Sequence, residues 1–459
     1  MNFTKLLFKR FFRLKLLDIC DLFRLFARVA AEDRHPETPV VFRHHHFNKS
    51  IYERAFNMRK SIIFMALAAA CCIGCKKHCE MGTYGYDAEF LADKGIGTVE
   101  LKSADGLSRV MVVPAWQGRV MTSTTDGDAG TSYGWINYKF IESGEVNPQF
   151  NPFGGEERFW IGPEGGPFSW YFQPGAEQIY ANWKVPAAID TEPYDIASRS
   201  GTEVVFTKDF TLRNASGHDF DIGVRRTVSL LTAEGLQGLL GLQLPEGVKS
   251  LAYKTENTLT NRGDAAWTRE TGMPSVWLLG TFNPTPTTTV FIPYNPGAEG
   301  KRINDAYFGK VPADRLMLEN GIVYFKIDGA WRAKIGLPAG MAKDLCGSYD
   351  SEKGILNILK YTVPEGASDY LNGQWGPQED PFAGDVINSY NDGPTETGTI
   401  MGPFYEIETS SPGAALAPGE SLAHVQYTIH LEGAKEQLAE IAAKVFGVDL
   451  DKVANMFAK

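Results

Sequence analysis

The chain is poor in the residues from which metal and redox centres are usually built. Its 459 residues include eight histidines and six cysteines. Cys71, Cys72, Cys75 and Cys79 crowd one short segment, and Cys346 follows alone far downstream. That spacing excludes a disulfide framework and leaves one bridge open, Cys79 to Cys346. Cys75, His78 and Cys79 have zinc-ligand chemistry but sit on a leader with no scaffold around them, so no metal and no cofactor is expected. Positive charge is also in deficit: 45 Lys and Arg against 55 Asp and Glu give a net charge of −10. With no basic stripe in the body of the chain, nucleic acid is excluded as a partner. Helical periodicity is missing until residue 434, and no short repeat points to a propeller.

One apolar run stands out, in "MRKSIIFMALAAACCIGC" at 58–75. A basic start, an apolar centre and a small-residue end are the layout of a secretory signal, too short for a comfortable membrane span. Its end resembles a bacterial lipoprotein box, with Cys75 the expected lipidated residue and Cys71 the alternative. Residues 1–57 are read as a non-native or disordered extension ahead of a start at Met58. A basic amphipathic surface helix is the other reading of that segment. The mature protein is then expected in the bacterial cell envelope, tethered to a membrane by its lipid.

What the chain has in quantity is glycine (47), proline (25) and aromatic residues (12%), the mixture of a turn-rich β protein. After a linker at 76–84, alternating β-formers recur between turn residues through 85–433. "VELKSADGLSRVMVV" reads as a hairpin about an Asp-Gly turn. "TEVVFTKDFTLRNASGHDFDIGVRRTVSLL" gives two longer strands, and "KSLAYKTENTLTNRGDAAWTRE" is expected to repeat that pattern. The last pair is "FYEIETSS" and "SLAHVQYTIHLEG". Only "AKEQLAEIAAKVFG", with "DLDKVANMFAK" behind it, reads as helix, so 434–459 closes the chain with short helices. The body is all-β and long enough to need at least two packed antiparallel sheets.

The tail "YEIETSS…ALAPGESLAHVQYTIHLEG" resembles the closing strands of galactose-mutarotase-like (aldose 1-epimerase-like) proteins. "VPAWQGRVMTST", "GGEERFWIGPEGGP" and the long central hairpin fall in the same order along residues 85–433. The resemblance implies a β-supersandwich of large antiparallel sheets and a sugar ligand. It also implies Glu408 as the position of the family's general base, with Glu406 on the same strand face because the period is two. The alternative for these acids is a turn cap or an ion pair. Catalysis of this type needs an acid as well as a base. Of the histidines beyond residue 76, His218 lies in a hairpin turn. His424 and His430 share the strand face opposite Val425, Tyr427 and Ile429. None stands where a general acid is expected.

Two loop-like runs carry sugar-binding chemistry, in which rings meet the C–H face and polar groups meet the hydroxyls. "ERFWIGPEGGPFSWYF" supplies Arg158, Trp160 and Glu164. "NGQWGPQEDPFAGDVINSYNDGP" supplies Trp375, Asn391 and Asp392. Glu379, Asp385 and Asp392 have the oxygen chemistry of a calcium site without a loop motif of fixed spacing. The sequence therefore predicts a carbohydrate-binding envelope lipoprotein whose partner is a mono- or oligosaccharide. The alternatives are an aldose 1-epimerase using Glu408, or a polysaccharide lyase or hydrolase with Tyr390 beside Asn391.

Overall fold

The computed structural model of the chain describes residues 79–395 and 397–458. The proposed signal, its lipidation site Cys75 and the extension before it lie outside these residues. Among the described residues no helix is long and apolar enough to cross a membrane.

Among the described residues eighteen strands form three antiparallel sheets. The first holds β1 (Val99–Lys102), β2 (Arg109–Val113) and β3 (Arg119–Thr124). Next in the chain come β4 (Arg158–Gly162), β5 (Asp195–Arg199), β6 (Glu203–Arg213), β7 (Asp219–Leu230), β8 (Lys249–Asn261) and β9 (Ser275–Phe282). They are followed by β10 (Thr288–Pro293), β11 (Leu316–Glu319), β12 (Ile322–Lys326), β13 (Ala333–Pro338), β14 (Leu345–Asp350) and β15 (Ile355–Tyr361). The last three are β16 (Asp385–Asn391), β17 (Tyr405–Ser410) and β18 (Ser421–Glu432). A ten-stranded sheet runs β11-β12-β10-β14-β15-β18-β8-β7-β6-β5, and a five-stranded sheet runs β13-β16-β17-β9-β4. The expected architecture of large antiparallel sheets with short C-terminal helices is what the chain adopts.

Local chemistry explains the hairpins. In the β1–β2 turn, Asp105 accepts from the Leu107 amide at 3.1 Å, and Gly106 supplies the positive φ of +74°, the side-chain-to-backbone turn that Asp favours. In the β6–β7 turn, Asn214 Oδ1 accepts from the His218 amide at 3.1 Å. The hairpin expected after "TNRGD" does not form. Asn261 instead donates to the carbonyls of Ala265 and Leu416, so its side chain ties down a loop, and Trp267 packs into the core without a strand partner.

Helices also appear that periodicity misses: α1 (Tyr84–Asp93), α2 (Tyr138–Ser143) and α3 (Ala233–Leu240), ahead of α4 (Lys435–Phe446) and α5 (Leu450–Asn455). α1 carries Gly85 and two aspartates, a weak intrinsic helix. It is held by tertiary contact: the buried Asp87 accepts from Ser132 and Tyr138. α1 opens at Tyr84, where the stretch read as a linker ends.

Alternation decides the layers. Phe159, Ile161, Val276, Leu278, Ile387, Tyr405, Ile407 and Ile335, on one face of the five-stranded sheet, are all buried in cores shared with the ten-stranded sheet. α3, α4 and α5 cover the other face of the large sheet through Leu236, Leu438, Ile441, Leu450 and Val453. Cys346 is a buried free thiol and Cys79 a partly buried free thiol, so the bridge left open in the sequence is not made.

His424 and His430 both point into the interior and are fully buried. His430 lies 2.7 Å from Glu156 Oε1 and 2.7 Å from Asn357 Oδ1, while His424 pairs with Thr409. Beside them Arg226 donates to Glu157, Asn257 and the Gly118 carbonyl with no solvent contact. A buried charge pair broken on one side leaves an uncompensated ion. Arg226→Met is expected to lower unfolding free energy by about 3–5 kcal/mol. Denaturant titration checks this, and a change within error would mean Glu157 has another route to compensation.

Candidate functional site

Strand parity sends the opposite residues of the five-stranded sheet to its second face, away from the shared core. Register then aligns them in rows. Glu408 lies opposite Asn388 on one side and Leu279 on the other, and Leu279 is opposite Arg158. Glu406 lies opposite Tyr390 and Thr281, and Tyr390 is opposite Lys334. A third row sets Trp277 between Ser410 and Trp160. This face thus gathers two acids, two cations and two indoles from four strands.

The charges are paired in a definite way. Lys334 Nζ donates to Glu408 Oε2 at 2.7 Å, and Trp277 Nε1 donates to the same oxygen at 2.9 Å. Arg158 reaches Glu406 Oε1 at 3.3 Å, where Thr281 also donates at 3.2 Å. The Arg158 guanidinium lies 4.1 Å from the centre of the Trp160 ring, and Lys334 lies 5.1 Å from Trp277 and 5.4 Å from Tyr307. Such cation–aromatic contacts strengthen where water is excluded. Gly336 makes room for this crowding: a Cβ there would fall 2.0 Å from Asp385 Oδ2.

Glu164 joins from the loop after β4. Burial raises its carboxyl to about 7, with Lys334 opposing the shift and Glu408 adding to it. Burial likewise raises Glu406 to about 7, Arg158 opposing and Glu408 reinforcing. Burial disfavours the charge on Lys334, yet the fields of Glu408, Glu164 and Glu406 outweigh it and hold the ammonium above its ordinary range.

Two long connections wall this face. The 163–167 turn packs backbone to backbone on 374–375, since a Cβ on Gly165 would lie 2.2 Å from the Gln374 carbonyl oxygen. Gln178 clamps both: its Oε1 accepts from the amides of Gly166 at 2.8 Å and Gly376 at 2.7 Å. Trp375 is thereby set against Trp183, with ring centres 6.1 Å apart and planes 26° from parallel. Trp183 also stacks with Tyr171 at 6.1 Å, and Trp160 meets Trp277 edge-on at 5.5 Å. Arg158 Nε and Trp160 Nε1 are buried with no hydrogen-bond partner, while the Trp183 and Trp375 side chains favour the charged form of Glu164.

Of the residues singled out in the sequence, Arg158, Trp160, Glu164, Trp375 and Glu408 come together here. Asn391 and Asp392 do not. Asn391 faces the opposite way, holding the 328–331 turn through the Gly329 amide and the Trp331 carbonyl. Asp392 shares the parity of Asn388 but lies four residues, about 13 Å, farther along the strand. There it accepts from Tyr390 Oη and the Gly402 amide. Asp385, at the other end of β16, accepts from Tyr307 at 2.5 Å, so it and Asp392 cannot share a calcium ion. Among the described residues no group of three or more His, Cys, Asp or Glu is arranged to hold a metal. Lys334, Trp277 and Trp183 escaped the sequence reading. Lys334 sits in "WRAKIGLP", where two cations at alternate positions among strand formers signal a wet or paired face but not its partner.

Large antiparallel sheets, one of them bearing a face of carboxylates, cations and rings, define a β-supersandwich protein. The chain belongs to a family of unknown function (DUF6786), which it matches over residues 82–457. It is similar in fold to the Slr1438 protein of Synechocystis sp. PCC 6803, with 12% identity and a TM-score of 0.45 over 73% of this chain and 96% of that one. A galactose mutarotase-like protein of Lactobacillus casei ATCC 334 shares 12% identity and a TM-score of 0.41 over 73% of this chain and 100% of that one. A galactose mutarotase related enzyme of Lactobacillus acidophilus shares 7% identity and a TM-score of 0.41 over 73% of this chain and 98% of that one. No similar sequence was found among functionally curated proteins.

The raised carboxyl of Glu164 has a consequence for stability. A folded-state value above the unfolded one means that the native state costs nothing extra at low pH, where the acid is protonated in both states. The penalty grows as pH rises from about 4.5 to about 7, then stays constant. Glu164→Gln mimics the protonated acid, so it is expected to stabilise the protein at pH 8 relative to pH 5 by on the order of 1–3 kcal/mol. Equal effects at both pH values, in matched denaturant titrations, would show that Glu164 ionises freely.

Proposed function

We propose that the protein binds a carbohydrate on the outer face of the five-stranded sheet, between the 163–183 and 372–380 connections. The observation that carries this reading is the pair of buried donors without acceptors, Arg158 Nε and Trp160 Nε1. Leaving a buried donor unsatisfied costs roughly 1–3 kcal/mol, a cost that ligand hydroxyls remove. Trp375, the exposed ring of the cluster, offers the apolar surface that a pyranose C–H face needs, and Glu408, Glu406 and Glu164 accept from its hydroxyls.

A second reading, sugar ring opening, is favoured by the raised carboxyl of Glu164 beside Glu408. Both contacts to Glu408 fall on Oε2, which leaves Oε1 to take the anomeric proton. Glu164, raised to about 7, is protonated on the acid side of neutrality and can return a proton to the ring oxygen. The lyase reading finds less support, because Tyr390, its suggested base, is engaged by Asp392 and Arg332 and Asn391 faces away.

Two measurements separate these. Calorimetric titration with a panel of neutral monosaccharides should give binding that Trp183→Ala weakens at least tenfold. Polarimetry on fresh α-glucose and α-galactose should show a rate that Glu408→Gln abolishes and that falls as pH rises through about 7, as Glu164 ionises. Binding without a polarimetric rate leaves the binding reading alone, and silence in both removes the site.

The signal layout at 58–75 supports attachment to the cell envelope through a lipid on Cys75. Radiolabelled palmitate is expected to enter the protein expressed in a bacterial host and not its Cys75→Ala variant. Equal labelling of the two would move the anchor to another residue.

A further inference from the structure

Beside the candidate site lies a cavity of about 480 Å³, lined among others by Lys301, Asn304, Tyr307, Gln378, Asp380 and Asp385. That volume falls in the range of small-molecule sites, roughly 300–1,000 Å³. Its wall is one side chain thick on the side of the acids. Tyr307 donates to Asp385 in the cavity and presents its ring to Lys334 at 5.4 Å, and Lys334 is bonded to Glu408. On another side the wall is the 372–380 connection, which puts Gln374 into the cavity lining and the next residue, Trp375, against Trp183. Gln378 Oε1 is buried there with no donor. The cavity therefore adjoins the aromatic cluster across a shared wall.

Their chemistry differs in a complementary way. The aromatic compartment offers ring faces, whereas the cavity lining is amides, carboxylates and one phenol, suited to hydroxyls. Charge narrows the ligand further. Glu379, Asp380 and Asp385 face one cation, Lys301, in the cavity. In the aromatic compartment both cations are already engaged by carboxylates. An anionic sugar entering either compartment meets an excess of negative charge with no free counter-ion, which raises its cost.

We propose that the cavity is a second sugar subsite, so that the ligand is a neutral oligosaccharide with one residue on the Trp160–Trp183–Trp375 surface and its neighbour in the cavity. This rests on the carbohydrate reading above and adds the length and charge of the ligand to it.

The test is calorimetric titration of the whole protein with glucose, galactose and xylose, with their neutral oligomers of two to four units, and with tri-galacturonate. Ala383 is an exposed residue of the cavity lining, and Ala383→Trp fills the space from the surface without touching the aromatic compartment. Affinity is expected to rise at least tenfold from one unit to two or three for one of the series. Ala383→Trp should erase that gain and leave monosaccharide binding unchanged, and tri-galacturonate should bind at least tenfold more weakly than the neutral trimer. Monosaccharide binding with no gain on lengthening, a gain that survives Ala383→Trp, or tri-galacturonate bound as tightly as the neutral trimer would each overturn the proposal and leave the first site standing. No binding by any sugar, with thermal denaturation showing a folded protein, would overturn both.

Discussion

Glu164, Glu406 and Glu408 converge on one face of a sheet, and like charges in a half-dry environment repel strongly. Lys334 makes the arrangement possible. It stands two strands away from Glu408, on β13, and reaches across β16 to place its ammonium 2.7 Å from that carboxylate. Arg158 holds Glu406 from the opposite edge of the sheet. Burial raises the carboxyls of Glu164 and Glu406, Glu408 adds to the shift, and the two cations for three acids only partly offset it. Carboxyls raised to about 7 at Glu164 and Glu406 can exchange a proton near neutral pH, as proton transfer requires.

The same constraint shapes the loops. A cluster that is only partly solvated has to be walled, and the walls are the 163–183 and 372–380 connections. Neither carries a strand, so their positions come from side-chain clamps such as Gln178 and from glycines that allow backbones to touch, as at Gly165. Trp183 and Trp375 are carried on these segments, and the aromatic surface depends on the clamp. The buried spine of Arg226, Glu157, Glu156 and His430 lies between the sheets and takes up polar residues that in the sequence look as available for chemistry as Glu408.

Much of the site was legible before the fold was known. Glu406 and Glu408 are two apart in a strand and had to share a face, and Arg158, Trp160 and Glu164 lie within seven residues of chain. Trp375 stood out as a large ring in a Gly/Pro-rich connection. Asn391 misled because parity is invisible in a polar run: "NSYND" gives no apolar partner by which to tell inward from outward. His424 and His430 misled for the opposite reason, since polar residues facing an interior spine look the same as polar residues facing water. The loop after Asn261 was read as a hairpin because "NRGD" has turn chemistry, but a turn does not specify that a strand follows it. α1 was missed because its glycine and aspartates make a poor isolated helix, and its stability comes from Ser132 and Tyr138, far along the chain.

The amino-acid sequence alone determined the all-β class, the positions of the main turns, the closing helices and the pairing of acids on one strand face, because each follows from periodicity or from the conformational preferences of single residues. Only the tertiary structure decided that this face is the outer one, that Lys334 answers Glu408 and that two distant loops roof the cluster. Strand period fixes which residues share a side but not which side meets the core, and contacts across tens to hundreds of residues depend on sheet order, which no local pattern encodes.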